Sequence, residues 1–105
     1  MLTLNLERVP DDYEEISVTA AAKGLSSGKL IRSAGVLKGL AARAALISVE
    51  AADVRFRLDA PATQVTGHFV ESGETILLGG SQTLKKFSVI REAEVNATLR
   101  VSYFY

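Results

Sequence analysis

Along most of the chain apolar and polar residues alternate with a period of two, the pattern of a strand with one buried face. Leu2, Leu4 and Leu6 alternate with Thr3, Asn5 and Glu7. After a break at Pro10-Asp11-Asp12, Ile16, Val18 and Ala20 alternate with Ser17 and Thr19. These segments predict the first two strands. Between Ala21 and Ala44 the pattern is lost, because Gly24, Ser26, Ser27, Gly28, Gly35 and Gly39 interrupt every period. Lys29 to Arg32 reads as a short strand. Val36, Leu37, Leu40 and Ala44 could line a helical stripe, but Gly39 would cost it about 1 kcal/mol and no good N-cap precedes it. The segment is therefore read as a loop.

From Ala45 the alternation returns. Ala45, Ile47 and Val49 form one apolar row, and Val54, Phe56 and Leu58 form another with Arg55 and Arg57 opposite. Asp59-Ala60-Pro61-Ala62-Thr63 is a turn cluster, since Pro61 lacks a ladder donor and biases Ala60 towards extended geometry. His68-Phe69-Val70 and Thr75-Ile76-Leu77-Leu78 flank Glu71-Ser72-Gly73-Glu74, a loop of hairpin length. Gly79-Gly80-Ser81 turns the chain, Leu84 to Ile90 reads as a further strand, and Arg91 to Glu94 leads into a last one, Val95 to Tyr105. The prediction is an all-β chain, an antiparallel β-sandwich or jelly roll of about eight or nine short strands.

Length and composition narrow the choice. The 105 residues match one domain spanning 1–105, and 48% hydrophobic with 23% charged residues places it among chains that fold unaided. Twelve basic and twelve acidic side chains give zero net charge, so no global field draws the chain to nucleic acid or anionic lipid. Near-neutrality also leaves little protection against self-association, which suits a protein that works in an assembly. No apolar run approaches spanning length, and the N-terminal residues lack a basic n-region, so no membrane association and synthesis in the cytoplasm are expected.

Candidate chemistry is sparse. Without cysteine, and with His68 the single histidine, the usual nitrogen and sulfur ligand sets for zinc or copper cannot be assembled. His68, beside Gly67 in a predicted strand, reads as a packed or surface residue rather than a base. Asp11, Asp12, Glu14 and Glu15 match no EF-hand spacing and read as a solvated turn between the first two strands. Gly24, Gly28, Gly79 and Gly80 form no phosphate-binding loop, for the lysine-serine pair and strand-to-helix context are missing. No catalytic residue, metal or cofactor is assigned, and no enzyme is expected.

Surface contacts are the better prospect. Arg55 and Arg57 share one face of their strand and could grip partner carboxylates, or pair with Glu50 or Glu71 of a neighbouring strand. In Tyr103-Phe104-Tyr105, alternation sends Tyr103 and Tyr105 to the core side with Ala97, Leu99 and Val101. Phe104 then lies opposite, with Thr98, Arg100 and Ser102, and is expected to stand outside its own core. Phe104, Arg55, Arg57 and Arg100 are the candidate interface residues.

The run Ala45-Leu46-Ile47-Ser48-Val49-Glu50-Ala51-Ala52-Asp53-Val54-Arg55-Phe56-Arg57 resembles small β-sandwich virion structural proteins of tailed bacteriophages. Further matches are Pro61-Ala62-Thr63 ahead of Gly67-His68, then Gly73-Glu74 before Thr75 to Leu78, and the close Asn96 to Phe104. The resemblance covers about the last 60 residues, half a domain; family members often carry Asp-Gly where this chain has Asp59-Ala60. It implies a virion component made in the host cytoplasm, a capsid decoration or head/tail accessory protein, with a capsid or tail protein and further copies of itself as partners. It brings no catalytic residues. The competing expectation is a carbohydrate- or host-receptor-binding β-sandwich module, against which the absence of tryptophan counts.

Overall fold

In the computed structural model, which describes residues 10–32 and 38–105, the alternating segments become strands of two antiparallel sheets. The first sheet holds β1 (Pro10–Val18), β7 (Ala97–Phe104), β2 (Ala44–Glu50) and β5 (Thr75–Gly79), in that order. The second holds β4 (His68–Val70), β3 (Val54–Arg57) and β6 (Ser88–Arg91). The register pairs like with like. Ile16 lies opposite Leu99 and Ile47 opposite Val101, so the inward rows of neighbouring strands coincide. Those rows meet Val54, Val70 and Val89 of the second sheet in one continuous core. Leu99, Val101, Ile47, Val54 and Val89 are all at most 1% exposed. A radius of gyration of 13.3 Å is that of one compact unit. The chain is thus a small, mostly β domain with two antiparallel sheets.

Four expectations are corrected. Pro10-Asp11-Asp12 is the start of β1, not a break; a register shift between Pro10 and Asp12 absorbs the irregularity. Ala20 lies beyond that strand and is exposed. Lys29 to Arg32 is no strand: Ser27–Leu30 forms the single turn α1, closed by the Leu30 amide on the Ser26 carbonyl at 3.1 Å, before Ile31 bridges to Ala41. The expected strand from Leu84 begins only at Ser88. Ahead of it Ser81–Lys86 forms α2, because a helical turn places Leu84 fully in the core while its four neighbours carry no β-branched run.

Fourth, Glu71 to Glu74 closes no hairpin. β4 and β5 pair with different strands, and the loop carries the chain from one sheet to the other. Loop length permits a hairpin without requiring one, and here the Ser72 and Gly73 amides bond to Asp53 and the Val49 carbonyl instead, at 2.8 and 2.7 Å. The predicted strand at Leu2 to Leu6, and Val36 and Leu37 of the predicted loop, lie outside the described residues.

Candidate interaction surface

Strand β3 positions the first two candidates. With Val54 packed inward, alternation turns Arg55 and Arg57 to the outer face of the three-stranded sheet. Arg55 lies between Phe69 of β4 and Ile90 of β6. Its guanidinium sits 5.5 Å from the Phe69 ring centroid, donates to the Gly67 carbonyl at 3.2 Å and meets Glu92 at 3.5 Å. The close approach requires glycine at 67: φ is +122°, and a Cβ there would lie 2.8 Å from the Phe56 carbonyl oxygen. Arg57 instead folds onto Asp59 in a two-pronged contact at 3.0 and 2.9 Å. That hydrogen bonding raises the pKa of the guanidinium and lowers that of the carboxyl. Neither arginine uses Glu50 or Glu71.

Exposed apolar side chains lie on β4 and on the loops near this sheet. Phe69 is 46% exposed, and Val65 and Val95 stand out at 85% and 60%. The two valines sit on neighbouring loops, since the Gln64 side-chain Nε2 donates across to the Ala93 carbonyl at 3.3 Å. Sequence reasoning missed all three. The available signal was Val70: once it is inward, Phe69 must face out.

The outer face of the four-stranded sheet is built differently. Arg100 of β7 bonds Glu15 of β1 on one side and Glu50 of β2 on the other, and also donates to the Tyr13 hydroxyl at 3.0 Å. These acceptors, Glu50 first, raise its pKa. Arg100 is therefore engaged by its own fold. Phe104 needs a correction too, for although alternation places it on this outer side, it is only 7% exposed. Period-two patterning reports the side on which a residue lies, not whether that side is covered, and burying a phenyl ring recovers about 1.5–3 kcal/mol. Arg55 and Phe69 are thus brought together on a face that Arg57 shares but where Arg57 is engaged by Asp59, while Arg100 and Phe104 belong to the other sheet.

A polar cluster closes the inner end of this sheet. Tyr103 donates to Glu14, which also accepts from the Ser26 hydroxyl at 2.5 Å. Lys29 and Arg32 reach Asp12 at 2.9 and 2.6 Å, and the Tyr105 hydroxyl donates to the Lys29 carbonyl at 2.5 Å. The acidic segment expected in a turn is thus part of strand β1, and its Asp12 and Glu14 tie α1 and its flanks to the sheet. His68 is exposed, its ring 5.2 Å from that of Phe56. A cleft of ≈ 330 Å³ separates the turn at Asp59 from the end of α2 at Lys86. Among the described residues no group of histidine and carboxylate side chains is placed to hold a metal ion, and no helix is long and apolar enough to cross a membrane.

Comparison with known proteins found no matching family model, no matching curated protein and no matching solved structure.

Proposed function

We propose that the chain is a β-sandwich interaction protein that acts through contacts with other protein surfaces and catalyses no reaction. The reading is carried by the outer face of the three-stranded sheet, where Phe69 stands exposed beside a half-buried Arg55. Aromatic residues and arginine are the types most enriched among those that dominate binding energy. Phe69 already packs against the Arg55 guanidinium, a contact that reduces the entropy left to lose on docking.

The resemblance of Ala45 to Arg57 and of the following segments to tailed-phage proteins supports a particular setting. The protein would be a virion component, a capsid decoration or head/tail accessory protein, with a capsid or tail protein as partner and copies of itself beside it. The two antiparallel sheets that share one core are compatible with the sandwich architecture of that family.

Co-sedimentation tests the reading. Tagged protein should travel with the particles encoded beside its gene, and Phe69→Asp should leave it in the supernatant while its melting curve is unchanged. Equal sedimentation of both proteins would overturn the assignment of this face. Retention on immobilised glycans, lost in the same variant, would favour the carbohydrate-binding alternative.

A further inference from the structure

Each sheet ends in edge strands whose outward amides and carbonyls invite pairing, and proteins ordinarily protect them. Most edges here are protected. β1 carries Pro10, the register shift and charges at Asp12, Glu14 and Glu15. β4 has three residues, and β6 is capped where Val89 and Lys23 exchange backbone hydrogen bonds at 2.9 and 2.8 Å. Strand β5, Thr75-Ile76-Leu77-Leu78-Gly79, has no such device: it contains no charge and no proline, and its pairing with β2 runs without a register shift.

The direction of its free groups follows from the ladder. Val49 donates to the Glu74 carbonyl and Gly80 to that of Arg43, which makes these bonded pairs of an antiparallel ladder. Bonded and non-bonded pairs alternate, so Ile76 and Leu78 face β2 while Thr75, Leu77 and Gly79 direct their amides and carbonyls away from it. Those three residues are exposed, and among the described residues no other strand pairs along that edge.

We propose that this edge pairs with β5 of a second copy, antiparallel about a twofold axis at Leu77, joining two four-stranded sheets into one. The proposal rests on the self-associating reading given above and names its surface. In this register Leu77 opposes Leu77 of the other copy and Thr75 opposes Gly79, so every outward amide and carbonyl of the strand finds a partner. Charge selects the direction. The exposed Glu71 and Glu74 precede the strand, whereas the exposed Lys85 and Lys86 follow it on α2. Antiparallel pairing sets the acidic end of each copy beside the basic end of the other; parallel pairing would set like beside like.

Sedimentation equilibrium over a concentration series tests this. The native chain should be dimeric, and Leu77→Lys, which opposes two lysines across the axis, should weaken association about tenfold or more. The pair Glu71→Lys with Glu74→Lys should be monomeric, as should Lys85→Glu with Lys86→Glu. Mixed in equal amounts, those two proteins should recover a dimer, because each end again meets its opposite. A monomeric native chain, an unaffected Leu77→Lys dimer, or a mixture that stays monomeric would each overturn the proposal. The charge variants alter only exposed side chains, so they remain informative if Leu77→Lys folds poorly. Particle binding is read separately: a monomer that still co-sediments would sink the edge pairing alone, and a dimer that does not would sink the particle reading alone.

Discussion

On the four-stranded sheet Arg100 reaches a carboxylate on each side, joining β1, β7 and β2; on the three-stranded sheet Arg55 lies under an aromatic ring, its nearest carboxylate 3.5 Å away. Both are central-strand arginines on outer faces, yet their surroundings differ. Around Arg100 the acidic residues answer the charge, and the face is satisfied within one chain. Around Arg55 the ladder neighbours are Phe69 and Ile90, and Phe69 is left 46% exposed. Position in a strand sets which way an arginine points; its cross-strand neighbours decide whether it meets carboxylates or an aromatic ring.

The comparison presumes that both faces ride on one core, and the largest effect tests that. Leu99→Asp beneath the first face and Val54→Asp beneath the second each bury an unpaired charge where the native residue is 1% exposed. Each should cost more than about 4 kcal/mol and unfold the whole domain. Denaturant titration followed by two probes, one in each sheet, would show coincident loss. If Val54→Asp released the three-stranded sheet alone, the two faces would belong to separately stable units.

Next in size is the polar cluster at the inner end of the four-stranded sheet. Burial first, and the Glu14 carboxylate second, push the Tyr103 hydroxyl well above its ordinary pKa. A group raised in the folded state contributes its full stability below the unfolded value, about pH 10 for tyrosine, and loses it as pH climbs towards the folded value. Asp12 runs the other way. The Lys29 hydrogen bond outweighs burial, and the Tyr13 amide and Arg32 add to it, so its carboxyl titrates below 3.8. Its contribution is present above that pH and is lost as pH falls through the folded value. Melting temperature should therefore decline above about pH 10, and Tyr103→Phe should flatten that decline while leaving the acid limb in place. The variant should itself cost about 1.5–3 kcal/mol near neutrality, the worth of a hydrogen bond to a charged group. An unchanged alkaline limb would remove Tyr103 from the account.

Much of this was legible in the sequence, for identifiable reasons. β2, β3 and β7 were found because half-buried strands write their burial as a period of two, and Ala45, Ile47 and Val49 keep it without interruption. α1 and α2 were missed because a single turn has too few residues to show a period of 3.6; Leu84 alone marks α2 in the core. Loop length could not tell a hairpin at Glu71 to Glu74 from a crossing between sheets. In the candidate surface, Arg55 was legible as an outward residue, whereas its partners were not, since Phe69 and Glu92 reach it only through pairings that the strand order decides. Phe104 marks the limit of alternation: its side was read, its burial was not.

Salt gives the smallest effect and the sharpest division between the two faces. Arg100 is exposed, and its bonds to Glu15 and Glu50 are electrostatic contacts in contact with water. At 1 M salt the screening length falls to about 3 Å, so such pairs lose most of their worth. Arg55 also covers apolar surface: its side chain is 25% exposed, pairs in the ladder with buried Ile90 and stacks on Phe69. Removing it uncovers that surface, a packing loss that salt does not screen. Arg55→Ala should therefore lower stability by about 1–2 kcal/mol at low and high salt alike. Arg100→Ala should lower the melting temperature slightly at low salt and leave it at the native value at high salt. Arg55→Lys should recover only part of the loss, because an ammonium cannot stack as a planar guanidinium does. If the two alanine variants respond to salt in the same way, the distinction between a face tied by ion pairs and a face built on packing has no energetic basis.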